Sequence, residues 1–241
     1  MNHINKTMKR LTLYVVGLFF LSLGVSFSIQ ADLGVSPVSS LAYAFALTSG
    51  FSVGIMTIVA NVLFILIQII LSKRIDLIDS LVQLIISFMF GFFMDFTLFL
   101  VQLFPNPETL LIRWLFLIIS LFIVALGLLG YFSAKFPLMP YDALTYVISD
   151  KFKLKFSKAK ILSDLLNVCI AGLVCIIFIQ TLGAVGIGTI VAAYFIGKIL
   201  GWIMPRYQKY LLSWIDKDKE EAKKDASDEV TVQSEVSKVS S

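Results

Sequence analysis

The chain has 241 residues, is 58% hydrophobic with 21 Phe, and holds 15% charged residues at a formal net charge of +4. Soluble domains are nearer half apolar, with about a quarter of residues charged, so a soluble globular protein is excluded. The basic residues gather at the edges of apolar runs, where membrane topology accounts for them, and nucleic-acid binding is not implied.

Residues 1–10 are polar and basic, and an apolar run follows. This start imitates a signal peptide. The run is long, no small-x-small cleavage site closes it and more apolar runs follow, which predicts a retained first helix. Six full spans are predicted at about 11–30, 52–71, 77–103, 110–133, 159–181 and 185–204, each near the roughly 20 residues that cross a bilayer. Two shorter stretches, 37–48 and 140–149, reach only about half of a 30 Å core at about 1.5 Å per residue. Pro37 and Pro140 suit a first helical position, and Ser36 is placed to cap the first short helix. The fold class is therefore all-α, a polytopic helical membrane protein with two half-helices.

The halves repeat at an offset of 103. Leu18/Leu121, Phe19/Phe122, Leu23/Leu126, Gly24/Gly127, Ala31/Ala134, Pro37/Pro140, Leu41/Leu144 and Tyr43/Tyr146 are identical pairs. Around Gly91 and Gly197 the repeat continues after a three-residue shift. The expected organisation is an N-terminus at 1–10, a first transmembrane repeat at 11–104, a linker at 105–109 (PNPET), a second repeat at 110–204 and a tail at 205–241. In the tail, Tyr207 to Ile215 is expected as a short amphipathic helix on the inner surface, with disorder from about Asp216.

Basic residues choose the topology. With 37–48 and 140–149 re-entrant or interfacial, the cytoplasm holds Lys6, Lys9, Arg10, Lys73, Arg74, Lys135, the tail and a loop with Lys151, Lys153, Lys155, Lys158 and Lys160. Only Arg113 is left near the outside. If the short segments cross, Lys73, Arg74 and Lys135 move outside and Arg113 moves in. The first arrangement is favoured, with both termini cytoplasmic in a bacterial cell membrane. Three crossings per half make the repeat inverted.

Three motifs carry a resemblance. Residues 31–43 (ADLGVSPVSSLAY), 139–144 (MPYDAL) and 186–199 (GIGTIVAAYFIGKI) resemble the YczE/YyaS/YitT-like bacterial integral membrane proteins over roughly residues 11–204. The resemblance implies the membrane class more than a mechanism. The family's first motif often reads SPWD or GPRD. Here Val38 and Ser39 follow Pro37, so the acidic position is missing from the first half, while Asp142 keeps it in the second.

The candidate substrate-binding residues are Ser36, Ser39, Asn61, Asp142, Thr145 and Asp164. Asp142 follows Pro140 by two residues, and an ionisable group inside a membrane is a functional candidate. The alternative is that it complements a helix dipole, neutralised by Lys135 or Lys151. Asp164 aligns with Asn61, and such a pair could frame a midplane site. Locally, Lys160 and Asp164 are spaced to pair at i, i+4, and Asn61 suits an interhelical hydrogen bond.

The remaining polar groups read as structural. Asp95 and Arg113 are expected to pair across a hairpin, Asp32 to be solvated at the outer mouth, and Lys198 to snorkel. Capping and packing explain most of Ser36, Ser39, Ser40, Thr145 and Thr189. Gly186, Gly188, Gly197 and Gly201 are expected to serve helix packing. The spacing of Cys169 and Cys175 puts them on different helix faces, so neither a disulfide nor a metal site is implied.

His3 is the only histidine. No HExxH, Walker-type or GxSxG motif is present, so neither an enzyme, a metal nor a cofactor is expected. The first functional expectation is a small-solute or ion transporter in the lipid bilayer. The alternative is a non-transporting membrane partner or regulatory subunit, with protein contacts through the Lys151–Lys160 loop or the C-terminal tail. A substrate-binding subunit for a separate ATPase shares features of both.

Overall fold

A computed structural model describes residues 5–74 and 76–215 in full. Its helices are α1 (Asn2–Ala31), α2 (Pro37–Ser49), α3 (Val53–Ser72), α4 (Leu77–Gln102), α5 (Leu110–Ala134), α6 (Pro140–Lys151), α7 (Phe156–Ile179) and α8 (Ile187–Val239). Six of them, all but α2 and α6, are long and apolar enough to cross a membrane. The protein is therefore a polytopic helical membrane protein. The disorder expected from Asp216 lies outside the described residues.

Local chemistry sets the helix ends. Pro37 and Pro140 open α2 and α6, where a missing N–H costs nothing. Ser52 and Thr109 cap α3 and α5 by accepting from the backbone N–H of Ile55 and Ile112. Asp32 and Lys135, 103 residues apart, follow α1 and α5 in the left-handed conformation, at φ 52° and 54°. Ser36 departs from expectation. It makes no cap and donates instead to the Ser39 hydroxyl at 3.2 Å.

Helices α1 and α5 form the central pair and run antiparallel. Tyr14 stacks near Tyr131 at one end, and at the other Arg113 pairs with Asp32 at 2.9 Å. Between these ends a Cβ on Gly17 would come within 2.5 Å of the Tyr131 nitrogen, and one on Gly127 within 2.5 Å of the Leu21 nitrogen. Only glycine lets the two backbones approach this closely. Around this pair, α4 packs on α1 and α8 on α5, while α7 packs on α2 and α3 on α6. Helix α2 also touches α3, as α6 touches α7.

Each short helix ends near the level at which it begins. Thr97 of α4 meets Ser26 near the end of α1 at 2.9 Å. Two residues away, Asp95 of α4 accepts from Ser52 and Gly54 at the start of α3, both at 2.7 Å. The chain thus leaves α1 and enters α3 at the same level, so α2 dips in and returns. In the second half, Tyr131 near the end of α5 and Lys160 near the start of α7 both reach Asp142. Helix α6 therefore returns to its own side as well. Its end lies beside the end of α3, where Lys151 donates to the Leu71 carbonyl at 2.9 Å.

Three expectations are corrected. Asp95 does not pair with Arg113; it braces the start of α3, and Arg113 binds Asp32 and the Pro107 carbonyl. Asp32 is solvent-exposed, as expected, and its partner is Arg113. Tyr207–Ile215 is no separate surface helix. Helix α8 continues through Pro205, and Lys9 donates to the Trp214 carbonyl while lying over its ring. Gly186 and Gly188 do pack tightly, against the Leu33–Gly34 backbone, but a Cβ at Gly197 or Gly201 would meet nothing within 4 Å.

Candidate functional site

Helices α3 and α7 each pack against both α2 and α6. On α7, the Asn167 amide donates to the carbonyls of Pro37 and Val38 at 3.0 and 3.2 Å. Three residues earlier on the same helix, Asp164 accepts from the Tyr141 hydroxyl. That separation is a rise of about 4.5 Å, so one turn of α7 touches the start of both half-helices. On α3, the Phe64 ring packs against Tyr141 at 5.2 Å, and Ala60 joins the apolar cluster holding Leu41, Ala42, Tyr141 and Leu144. The contacts Asn167/Val38 and Phe64/Tyr141 map onto each other at the 103-residue offset, with the halves exchanged.

The α6 end is charged. The Lys160 ammonium lies 3.4 Å from Asp142 and 3.5 Å from Asp164, and 4.1 Å from the centre of the Tyr141 ring. Tyr131 accepts from the Met139 amide at 2.7 Å and donates to Asp142 at 3.3 Å. All three charged side chains are largely covered, with Asp142 only 16% exposed. Partial burial strengthens these attractions over their value in water. Two carboxylates nevertheless share one ammonium, so one negative charge in this cluster is unmatched.

The expected i, i+4 pair of Lys160 and Asp164 is present. The neutraliser of Asp142 is a correction: Lys160 takes that place. Lys151 is turned to the Leu71 carbonyl, and Lys135 is exposed just past α5.

The α2 end is neutral. At the 103-residue offset, Ser39, Thr57 and Asn61 stand where Asp142, Lys160 and Asp164 stand in the second half. Thr57 donates to the Val53 carbonyl, Ser40 to Pro37 and Thr145 to Tyr141, all within their own helices. Two groups remain unsatisfied. The Asn61 amide nitrogen and the Ser163 hydroxyl have no hydrogen-bond partner, on side chains of residues only 5% and 7% exposed. Ser163 lies one turn before Asn167 on the same face of α7, the face that meets the start of α2. Buried polar groups are usually paired, so such orphans mark places where a ligand or water completes the bonding.

Ser36, Ser39, Asp142 and Thr145 lie at the starts of the half-helices, and Asn61 and Asp164 on the helices that flank them. Sequence reasoning missed Tyr131, Tyr141, Ser163 and Asn167. Their side chains look like core residues of an apolar helix until the half-helices are docked. The repeat offset did hold one usable signal, the replacement of Lys160 by Thr57.

A second feature lies beside α2. A cleft of about 540 Å³ is lined by Tyr43, Leu47, Phe51, Asp95, Phe99 and Gln102, among others. Asp95 is engaged with α3, so the cleft presents mainly aromatic and aliphatic surface. Among the described residues, no group of three His, Cys, Asp or Glu could hold a metal ion.

These features define a helical membrane protein in which two short helices lie among six long ones and both pack on α3 and α7. Residues 8–205 match DUF6198, a family of unknown function. The chain belongs to that family. It is also similar to the uncharacterized protein YyaS of Bacillus subtilis (strain 168), at 32% identity over 200 residues, covering 83% of this chain and 94% of the relative. No solved structure matches the chain.

Proposed function

We propose that the protein is a transporter of a small polar solute or ion, with its site between the starts of α2 and α6. The observation that carries this reading is the single turn of α7 that binds both half-helices, Asn167 on one and Asp164 on the other. Broken helices that meet near the midplane, with ionisable groups at their tips, are how many transporters build a site. The halves are read as an inverted repeat. Support comes from the antiparallel run of α1 and α5 and from the exchanged contacts at the 103-residue offset. By the positive-inside rule, the face with Lys73, Arg74, Lys135 and the 151–160 loop is cytoplasmic in a bacterial cell membrane.

Rocking one half against the other would expose the site to each side in turn. The test is solute counterflow in proteoliposomes, using wild type and Asp142→Asn. Wild type is expected to move at least one small polar solute, and the variant to change that flux while eluting as folded protein. No flux across zwitterions, cations, anions and neutral polyols would overturn the proposal.

A second reading rests on the exposed Lys151, Lys153, Lys155 and Lys158 at the cytoplasmic end. They form a contact surface for an acidic partner protein, which would make the chain a regulatory or substrate-binding subunit. Co-purification that is lost on charge reversal of these lysines would favour it.

A further inference from the structure

The two half-helix ends differ in electrical character, and that difference specifies a ligand. Helix α6 carries Asp142 in its first turn; α2 has no acidic residue there and no side-chain cap. A helix start is the positive end of the macrodipole and favours negative charge. At α6 that preference is already answered from within the chain, and the cluster still has one carboxylate charge unmatched. At α2 no side chain answers it; Val35, Pro37 and Ser40 are covered there, Ser36 and Ser39 are half-buried and Val38 is exposed.

Asn61 supplies the second observation at the α2 end. Its neighbour Ala60 packs in the cluster with Leu41 and Ala42 of α2. It also occupies the position that Asp164 holds in the second half, and Asp164 bonds the residue after Pro140. The same relation sets Asn61 against Val38, the residue after Pro37. On that repeat relation its amide nitrogen, a donor with no acceptor, is directed to the uncapped start of α2.

Resting on the transport reading above, we infer that the ligand is a small zwitterion, with an ammonium and an acid group on a short frame. The ammonium is held at the Asp142–Asp164 pair beside Lys160, whose own ammonium already lies over the Tyr141 ring. The acid group is held by the Asn61 amide and the α2 start. A monocation would satisfy only the α6 end and leave the Asn61 donor orphaned; an anion would satisfy only the α2 end. The Ser163 hydroxyl, lying between Asn167 and the charged cluster, bonds whichever ligand oxygen reaches it.

The test is counterflow by the full chain in proteoliposomes. The zwitterionic probes are glycine, β-alanine and taurine; methylammonium, acetate and glycerol represent the other classes. At least one zwitterion is expected to move, with methylammonium and acetate at least ~10-fold poorer, the factor that one lost charge-assisted hydrogen bond gives. Asn61→Asp makes both ends acidic. It is expected to cut zwitterion transport by ~10-fold or more and to raise transport of doubly protonated 1,4-diaminobutane.

Asn61→Leu guards against misfolding in that variant. It removes the donor without adding charge, so it is expected to lower zwitterion transport without any gain for the diamine. Preferred transport of methylammonium, acetate or glycerol overturns the inference and leaves the transport reading standing. Unchanged selectivity in both Asn61 variants also overturns it. Movement of no probe from any class takes down both.

Discussion

Asn61 and Asp164 occupy corresponding places on α3 and α7, yet Asp164 bonds Tyr141 and Lys160 while the buried Asn61 amide bonds nothing. The contrast predicts opposite responses to the same substitution. An unpaired buried donor costs about 1–3 kcal/mol, so Asn61→Leu is expected to leave stability unchanged or to raise it. Asp164→Leu strands the Tyr141 hydroxyl and half of the Lys160 contacts, and is expected to lower stability by about 1–3 kcal/mol. Thermal unfolding of purified protein in detergent checks both. A fall for Asn61→Leu as large as for Asp164→Leu would show that Asn61 has a structural partner.

Lys160 joins α6 to α7 through its two carboxylates. Lys160→Met leaves Asp142 and Asp164 close together with no cation between them. Each is partly shielded by solvent, so the expected loss is about 1–3 kcal/mol rather than that of a fully buried pair. Adding Asp142→Asn to Lys160→Met removes the repulsion and is expected to recover a good part of the loss. If the double variant is less stable than Lys160→Met, Asp142 is held by something other than Lys160.

Asp95 and Arg113 sit in different networks, and a double-mutant cycle separates them. Asp95→Ala leaves the Gly54 N–H and the Ser52 hydroxyl without their acceptor at a helix start, with an expected cost of about 1–3 kcal/mol. Arg113→Ala removes a pair whose Asp32 side chain is 68% exposed, with an expected cost of about 0–1 kcal/mol. The two losses should add, because the residues share no partner. A coupling above about 0.5 kcal/mol would mean that the two side chains do meet.

Much of the frame was legible because it is written in one dimension. Apolar length marks the six spans, and Pro37 and Pro140 mark the half-helix starts, since a proline at the first position is a local event. Asp142 and Asp164 stood out because charge is rare in such a chain. What stayed hidden depends on which helices touch. Asp95 and Arg113 looked like hairpin partners, but α4 packs beside the start of α3, and a nearby N–H and hydroxyl won over a distant guanidinium. Tyr131 and Asn167 read as span residues, and Tyr141 as an apolar residue of a half-helix, until α7 is laid against both half-helices. Pro205 looked like an end, yet a membrane helix tolerates proline when its neighbours re-satisfy the freed backbone groups.

Glycine spacing gave only half of its information. Gly17 and Gly197 lie in similar apolar surroundings in the sequence, but only Gly17 has backbone pressed against it. Gly17→Val is expected to separate α1 from α5 and cost about 1–3 kcal/mol or more, as overpacking does. Gly197→Val is expected to change stability little, or to raise it, since valine loses less backbone freedom on ordering than glycine. Comparing monodisperse yield and thermal midpoint for the two variants checks this. A large loss for Gly197→Val would reveal a surface that packs against another molecule.

The last prediction concerns direction. If α2 and α6 each return to their own face, an N-terminal tag shares a side with positions 74 and 155, and position 49 lies opposite. If α2 crosses, the tag shares a side with position 49 instead. If α6 alone crosses, position 155 leaves the side of position 74. These patterns are distinct because each crossing inverts everything after it. Ser49, Arg74 and Lys155 are exposed and suit single cysteines, once Cys169 and Cys175 are replaced. Labelling right-side-out cells with an impermeant maleimide is expected to modify Ser49→Cys and to spare Arg74→Cys and Lys155→Cys until the membrane is opened. The reverse, with 74 and 155 labelled and 49 protected, would place the lysine-rich loop outside: a protected N-terminal tag would then make α2 a crossing helix, and an accessible tag would turn the molecule over. Labels at 74 and 155 on different sides would make α6 a crossing helix, and the two half-helices could then no longer enter from opposite faces.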